Sequence, residues 1–220
     1  MRNPAFGAAS MTALLLCAAC VTPRQPEAES AAPKPTVEFD AAPEWMSVAS
    51  SEDQDRIART SEAWRAALSE AKAGRFAKAI ADEGPLLDPD AALAAPAPAP
   101  GSYRCRVIKI GAQGGGPVFT SYKSFFCYVE AEGTRLNITK QTGSQRPAGW
   151  LYPDTDTERL IFLGTLALGD EKEPLPYGED TARDMAGVVE RVAPFRYRLV
   201  VPWPRAESKL DVIELVPVVQ

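Results

Sequence analysis

The chain has 220 residues, a formal net charge of −5 and no histidine. Without histidine, serine–histidine and cysteine–histidine nucleophile systems are excluded, and so are histidine-rich zinc sites. A net negative charge without a basic block excludes the usual electrostatic footprint of a nucleic-acid partner.

Residues 1–19 read as a signal peptide: Arg2 supplies a positive n-region, and MTALLLCAAC closes a run too short to span a bilayer, which needs about 20 apolar residues. Ala18-Ala19-Cys20 resembles a bacterial lipobox, which makes Cys20 the lipidated mature N-terminus; Cys17 stands where that motif usually has leucine. Plain secretion and an uncleaved N-terminal helix are the alternatives. By resemblance to enteric lipoprotein sorting, Val21 in place of aspartate after the cysteine favours the outer membrane. The expected location is therefore the cell envelope, lipid-anchored on the periplasmic face.

Residues 20–43 are rich in proline, alanine and glutamate and almost free of large apolar side chains. Such a segment cannot bury a core and is expected to be a disordered tether. A helical segment follows over 44–95. Ser51 and Gln54 form a capping-box pattern for a helix expected to run to about residue 73. Ile57, Trp64, Leu68 and Ala71 share one stripe of it, and Gly74 stops it. A shorter helix over 75–83 ends at Gly84-Pro85. Trp64, on an apolar stripe, is expected in the core.

The APAPAP connector at 95–100 leads into a β domain over 96–220, with 44–220 forming one folded unit. Residues 103–110 alternate, as do 123–131, and Gly114-Gly115-Gly116-Pro117 reads as the turn between them. Placing Cys105 opposite Cys127 puts Val107 opposite Phe125 and the reversal at Gly116. Opposed strand residues lie within disulfide range, so a Cys105–Cys127 bond is expected, with two buried free thiols as the alternative. Export favours the bond. With Cys17 removed and Cys20 lipidated, one cysteine pair remains in an oxidising compartment. Further strands are expected at 135–140, 147–152, 159–166, 187–192, 195–201 and 209–216, which makes eight in all. Sequential strands joined by short turns form an antiparallel meander, and closing it removes the exposed edges. The fold class is therefore mainly β with an N-terminal helical segment (α+β): an up-and-down meander of eight strands, closed as a small barrel, with the helices across an end or side. An open β-sandwich is the alternative.

Candidate sites lie in the turns. Thr142, Gly143, Ser144, Gln145 and Arg146 form the most polar compact turn, suited to hydrogen-bonding an anion or sugar. The long loop at 167–186 carries Tyr177, Glu179, Asp180, Arg183 and Asp184. Ser144, Gln145, Arg146, Tyr177 and Arg183 are the ligand-binding candidates. Carboxylates in unequal environments can serve as acid and base in glycoside cleavage, so Glu179, Asp180 and Asp184 are the candidate catalytic set. Lys140 with Ser144 would be the components of a serine–lysine dyad. No metal and no cofactor is expected. Trp150, Tyr152 and Trp203 suit a barrel mouth or the core.

YRCRVIKIG, TGSQRPAGWLYPD, IFLGTLALGDE, PYGEDTARDMAGVVERV and LDVIELVP occur in this order, after EGPLLDPDAAL. In these motifs the chain resembles the domain-of-unknown-function family numbered 4893, envelope proteins of alphaproteobacteria. The resemblance covers 43–218. It implies the domain limits, an export setting and the Cys105–Cys127 pairing, and it implies no activity. The leading expectation is a non-catalytic envelope lipoprotein that is anchored to the membrane and binds a small polar ligand or an envelope protein. A histidine-free hydrolase acting on cell-wall glycan and a structural envelope component are the alternatives.

Overall fold

The computed structural model describes residues 42–218; the signal and lipidation sites expected at 1–20 lie outside them. Four helices come first: α1 (Glu44–Val48), α2 (Ser51–Ala58), α3 (Thr60–Ala73) and α4 (Ala77–Asp82), then a 3-10 turn at Gly84–Leu87. The cap of α2 is Ser50, one residue before the expected Ser51: its hydroxyl accepts from the Asp53 amide at 3.1 Å. Gln54 reaches back instead to the carbonyls of Met46 and Ala49, at 2.9 and 3.0 Å. The helix expected to run unbroken to residue 73 is interrupted at Arg59. There the Thr60 hydroxyl donates to the Ile57 carbonyl at 2.7 Å, a local bond that competes with the helical ladder. Gly74 ends α3 as expected.

Nine strands follow: β1 (Gly101–Ala112), β2 (Phe119–Ser121), β3 (Phe125–Glu132), β4 (Arg135–Lys140), β5 (Gln145–Pro153), β6 (Arg159–Leu168), β7 (Asp184–Ala193), β8 (Arg196–Pro202) and β9 (Ser208–Pro217). All pairings are antiparallel, and β9 pairs back onto β1. Eight strands thus close a barrel, and the short β2 lies beside the far half of β1. The closed meander is the expected architecture; β2 is the element the alternation did not mark, because it offers only three residues before the chain breaks at 122–124.

That break corrects the register. Tyr103, not Cys105, lies opposite Cys127, and Cys105 lies opposite Phe125. The chain returns first as β2, with Ile108 opposite Ser121, and takes up one extra residue before β3 begins. The reversal therefore centres on Gly114 and Gly115, where φ is 63° and 85°. A shift of two residues leaves both cysteines on the same face, so the Cys105–Cys127 disulfide still forms, diagonally, with Cα atoms 5.8 Å apart.

Alternation divides the buried residues between two cores. Inside the barrel, Tyr103, the disulfide, Ile138, Leu151, Phe162, Tyr197, Leu199 and Leu215 pack together. Outside it, Ile108, Ile110, Leu163, Val188, Val200, Leu210 and Val212 meet Ile57, Trp64, Leu68 and Leu86 of the helical segment. The helices therefore cover the side of the barrel, not its end. Trp64 is core, as expected. Trp150, Tyr152 and Trp203 also pack against this outer core, so none of them lines a mouth.

Two glycines shape the interior. Gly149 faces Gly164 across β5 and β6, and a Cβ on Gly164 would stand 2.2 Å from the Ala148 carbonyl and 2.6 Å from the Phe162 ring. Their bare backbones let the Phe162 ring lie across the barrel interior. That ring packs in the interior with Tyr103 and Tyr197, and a cavity opens at one end of the barrel. No helix among the described residues is long and apolar enough to cross a membrane.

Candidate functional site

The cavity measures about 330 Å³ and occupies the barrel end where β1, β4, β6 and β8 finish and β5, β7 and β9 start. Val107, Phe125, Leu166, Met185, Val201 and Ile213 form its apolar wall. Charged side chains enter it from strand positions that alternation assigns to the barrel interior. Lys109 follows Tyr103, Cys105 and Val107 on one face; Lys140 follows Leu136 and Ile138; Asp211 precedes Ile213 and Leu215.

Lys109 lies between two carboxylates. Its Nζ is 2.7 Å from Asp211 and 3.1 Å from Glu207. Burial disfavours its charge, but these two partners more than offset that and hold its pKa above the ordinary value. Ser208 donates to Asp211, and the Gln145 amide donates to Glu207 at 3.4 Å. A continuous polar chain thus runs from β5 across the mouth to β9.

Lys140 is held differently. It is 4 % exposed, and its Nζ donates to the carbonyls of Thr142 and Gln145, both at 2.7 Å. The ammonium also sits 3.8 Å from the centre of the Phe125 ring, a cation–π contact. The 141–144 turn folds around it, and Gly143 makes this feasible. Its φ is 93°, and a Cβ there would lie 2.7 Å from the ammonium and 2.9 Å from Phe125. Among the described residues Lys140 has no carboxylate at ion-pairing distance, whereas Arg56, Lys109, Arg183 and Arg205, which line the same cavity, each have one. Burial, with Arg146 nearby, lowers its pKa to about 8.

This shift sets a pH dependence. The folded protein gives up the Lys140 proton near pH 8, while the unfolded chain keeps it up to the ordinary value of 10.5. Between these limits the unfolded state binds more protons, so stability rises with pH. In urea titrations, the stability of the wild type relative to Lys140→Met is expected to be flat from pH 6 to 7.5 and to increase from pH 8 to 10. A difference that stays constant across the whole range would mean that Lys140 titrates as an ordinary exposed lysine.

The candidates from the turns divide. Ser144, Gln145 and Arg183 line the cavity. Arg146 points away from it and stitches two loops: it donates to the carbonyls of Gly143 at 3.0 Å and Glu171 at 2.6 Å, and to that of Gly169. Tyr177 belongs to the helical interface; its hydroxyl donates to Asp53 at 2.5 Å and accepts from the Ser50 amide at 3.0 Å. Burial and Asp53 push its pKa up to about 12. Among the three loop carboxylates, Glu179 is exposed. Asp180 pairs with Arg183 at 2.8 Å, and that partner holds its pKa below the ordinary value. Asp184 is buried at the cavity wall and accepts from the Gly178 amide at 2.9 Å; burial raises its pKa. Arg183 also pairs with Glu171 at 2.7 Å, which ties the loop into a compact cap beside the mouth.

Lys109 and Asp211 were not among the sequence candidates, and Lys140 was considered only beside Ser144. The signal that could have found them is phase: each is a charged residue in step with the inward apolar residues of its own strand. The family model Domain of unknown function (DUF4893) matches residues 45–215. No curated protein and no solved structure matches the chain.

Proposed function

The chain belongs to the DUF4893 family of domains of unknown function, and we propose that it is a bacterial cell-envelope lipoprotein whose barrel binds a small polar ligand without acting on it chemically. The observation that carries this reading is the cavity at one end of the barrel. A cavity of about 330 Å³ with apolar walls and a few convergent polar groups falls in the range of about 300–1,000 Å³ typical of small-molecule sites. Ser144, Gln145 and Arg183 stand at its mouth, and Lys109, Lys140 and Asp211 within it. The envelope setting rests on Ala18-Ala19-Cys20 behind an apolar run. A buried disulfide accords with it, because such bonds persist in oxidising compartments. Val21 favours the outer membrane. The three carboxylates of the loop lend little to a hydrolase reading. Asp180 is bound to Arg183 and Asp184 to a loop amide, so both serve the loop's own structure.

Mass spectrometry of the protein extracted from bacterial membranes tests both halves. The mature chain should begin at Cys20 with added lipid, and under native conditions it should retain a small-molecule adduct. An intact Met1 would remove the lipoprotein assignment. An adduct retained equally by a Leu166→Trp variant, whose indole should fill the cavity, would remove the barrel as the binding site.

A further inference from the structure

Lys140 is the feature of this cavity that its surroundings leave incomplete. A cation removed from water is costly unless a counter-charge accompanies it. The other cations lining the cavity have one within the protein. Lys140 has two carbonyl dipoles and an aromatic face. An ammonium has three N–H donors, and two of them are engaged by the turn, so one is left on a side chain that lines the cavity. The turn itself is built to hold that ammonium in place, since Gly143 leaves room for nothing larger than hydrogen beside it. The same cavity has an apolar wall formed by Val107, Leu166, Met185, Val201 and Ile213.

Resting on the reading of the barrel as a ligand site, we propose that its ligand is a small organic anion with an apolar body, its acid group seated on the Lys140 ammonium and its body against the apolar wall. The ligand then supplies the counter-charge that the described residues do not provide. Arg183 and Arg205 at the rim, each already paired, attract the anion without competing for its final seat. In the Lys109–Glu207–Asp211 chain two carboxylates share the one ammonium, so it has no positive charge to spare for an anion, and Lys140 remains the anchoring charge.

Calorimetric titration of the mature chain, residues 20–220 produced without the signal and carrying Cys20→Ala so that neither lipid nor detergent competes, tests this with three probes: octanoate, octan-1-ol and octyltrimethylammonium. At pH 7 octanoate is expected to bind at least tenfold more tightly than octanol, with the cation weakest. Lys140→Met should abolish most of the preference for octanoate while octanol binding persists. If octanol or the cation binds as well as octanoate to the wild type, the barrel remains a ligand site and the anion assignment fails. If none of the three binds, the ligand-site reading itself fails. A preference for octanoate that survives Lys140→Met unchanged overturns the role of Lys140. The comparison of probes on the wild type decides the ligand class even if the variant does not fold.

Discussion

Replacing Arg198 by methionine is expected to lower the free energy of unfolding by about 3–5 kcal/mol, the usual cost of leaving one partner of a buried ion pair alone. For a domain of this size that corresponds to a fall in melting temperature of about 2–4 °C for each kcal/mol. Arg198 lies on the outer face of β8, and its side chain is fully buried. Its guanidinium pairs with Glu190 at 2.6 Å and donates to the carbonyls of Pro85, Leu86, Asp88 and Pro89 at 2.6–3.3 Å. Its plane sits 4.9 Å from the centre of the Trp64 ring. One residue thus gathers carbonyls of the 3-10 turn and of the two residues after it, and joins that turn and α3 to the barrel. Methionine fills much of the volume but supplies no donor, so the buried Leu86 carbonyl and the largely buried Glu190 carboxylate lose this partner. Chemical denaturation measures the loss, and amide exchange locates it. Exchange should quicken first over 60–73 and 84–90, ahead of the barrel strands. A variant within about 1 kcal/mol of the wild type, the level of a surface pair, would show that the apolar contacts alone hold the helical segment.

The second large effect belongs to the disulfide. Cys105→Ala combined with Cys127→Ala is expected to cost about 3 kcal/mol by loss of loop closure, for a loop with a sequence separation of 22. Both cysteines are 1 % exposed, so the native protein should resist reduction by dithiothreitol until denaturant opens the barrel. The next inward residues along the two strands, Val107 and Phe125, line the cavity, and Phe125 backs the Lys140 ammonium. Loosening this corner should therefore weaken octanoate binding as well as stability. Urea midpoints of the wild type and the double variant, with thiol counting by mass after reductant, check the expectation. Equal midpoints, or rapid reduction without denaturant, would rule out a stabilising buried staple.

The barrel strands were legible because each is long enough to alternate over several residues, and alternation is a local property of the chain. The closed meander followed from short turns between them. β2 escaped because three residues carry no period. The register at the cysteines was off by two because it depends on where the glycine-rich reversal centres and on the extra residue at 122–124. Neither leaves a mark on the side-chain pattern, since a shift of two preserves the faces. The helix expected over 51–73 is interrupted at Arg59, whose dihedrals of −94° and 19° leave the helical range beside the Thr60 hydroxyl bond to the Ile57 carbonyl.

For the site, the polar turn at 142–146 was legible, though in a different role. Read as a row of donors for a ligand, it instead offers its carbonyls to a buried lysine. Arg146 and Tyr177 have the polar character expected of binding residues. Their partners, loop carbonyls for one and Asp53 for the other, come from segments far away in sequence and could not be read locally.

By itself the amino-acid sequence determined the chemistry excluded by the absence of histidine and the inward and outward faces of the strands, which put Cys105 and Cys127 on one face. Each of these depends on composition or on the two-residue period of a strand. Only the tertiary structure decided how the charged residues on those faces live. Lys109 meets Asp211 and Glu207 because β1 closes against β9. Arg198 is buried because the helices lie on that side of the barrel. Among the described residues Lys140 is left without a counter-charge because the turn around it presents carbonyls. A charge's partner is set by which strands and loops come together across the barrel, and that is a long-range outcome of packing, not a property of its neighbours in the chain.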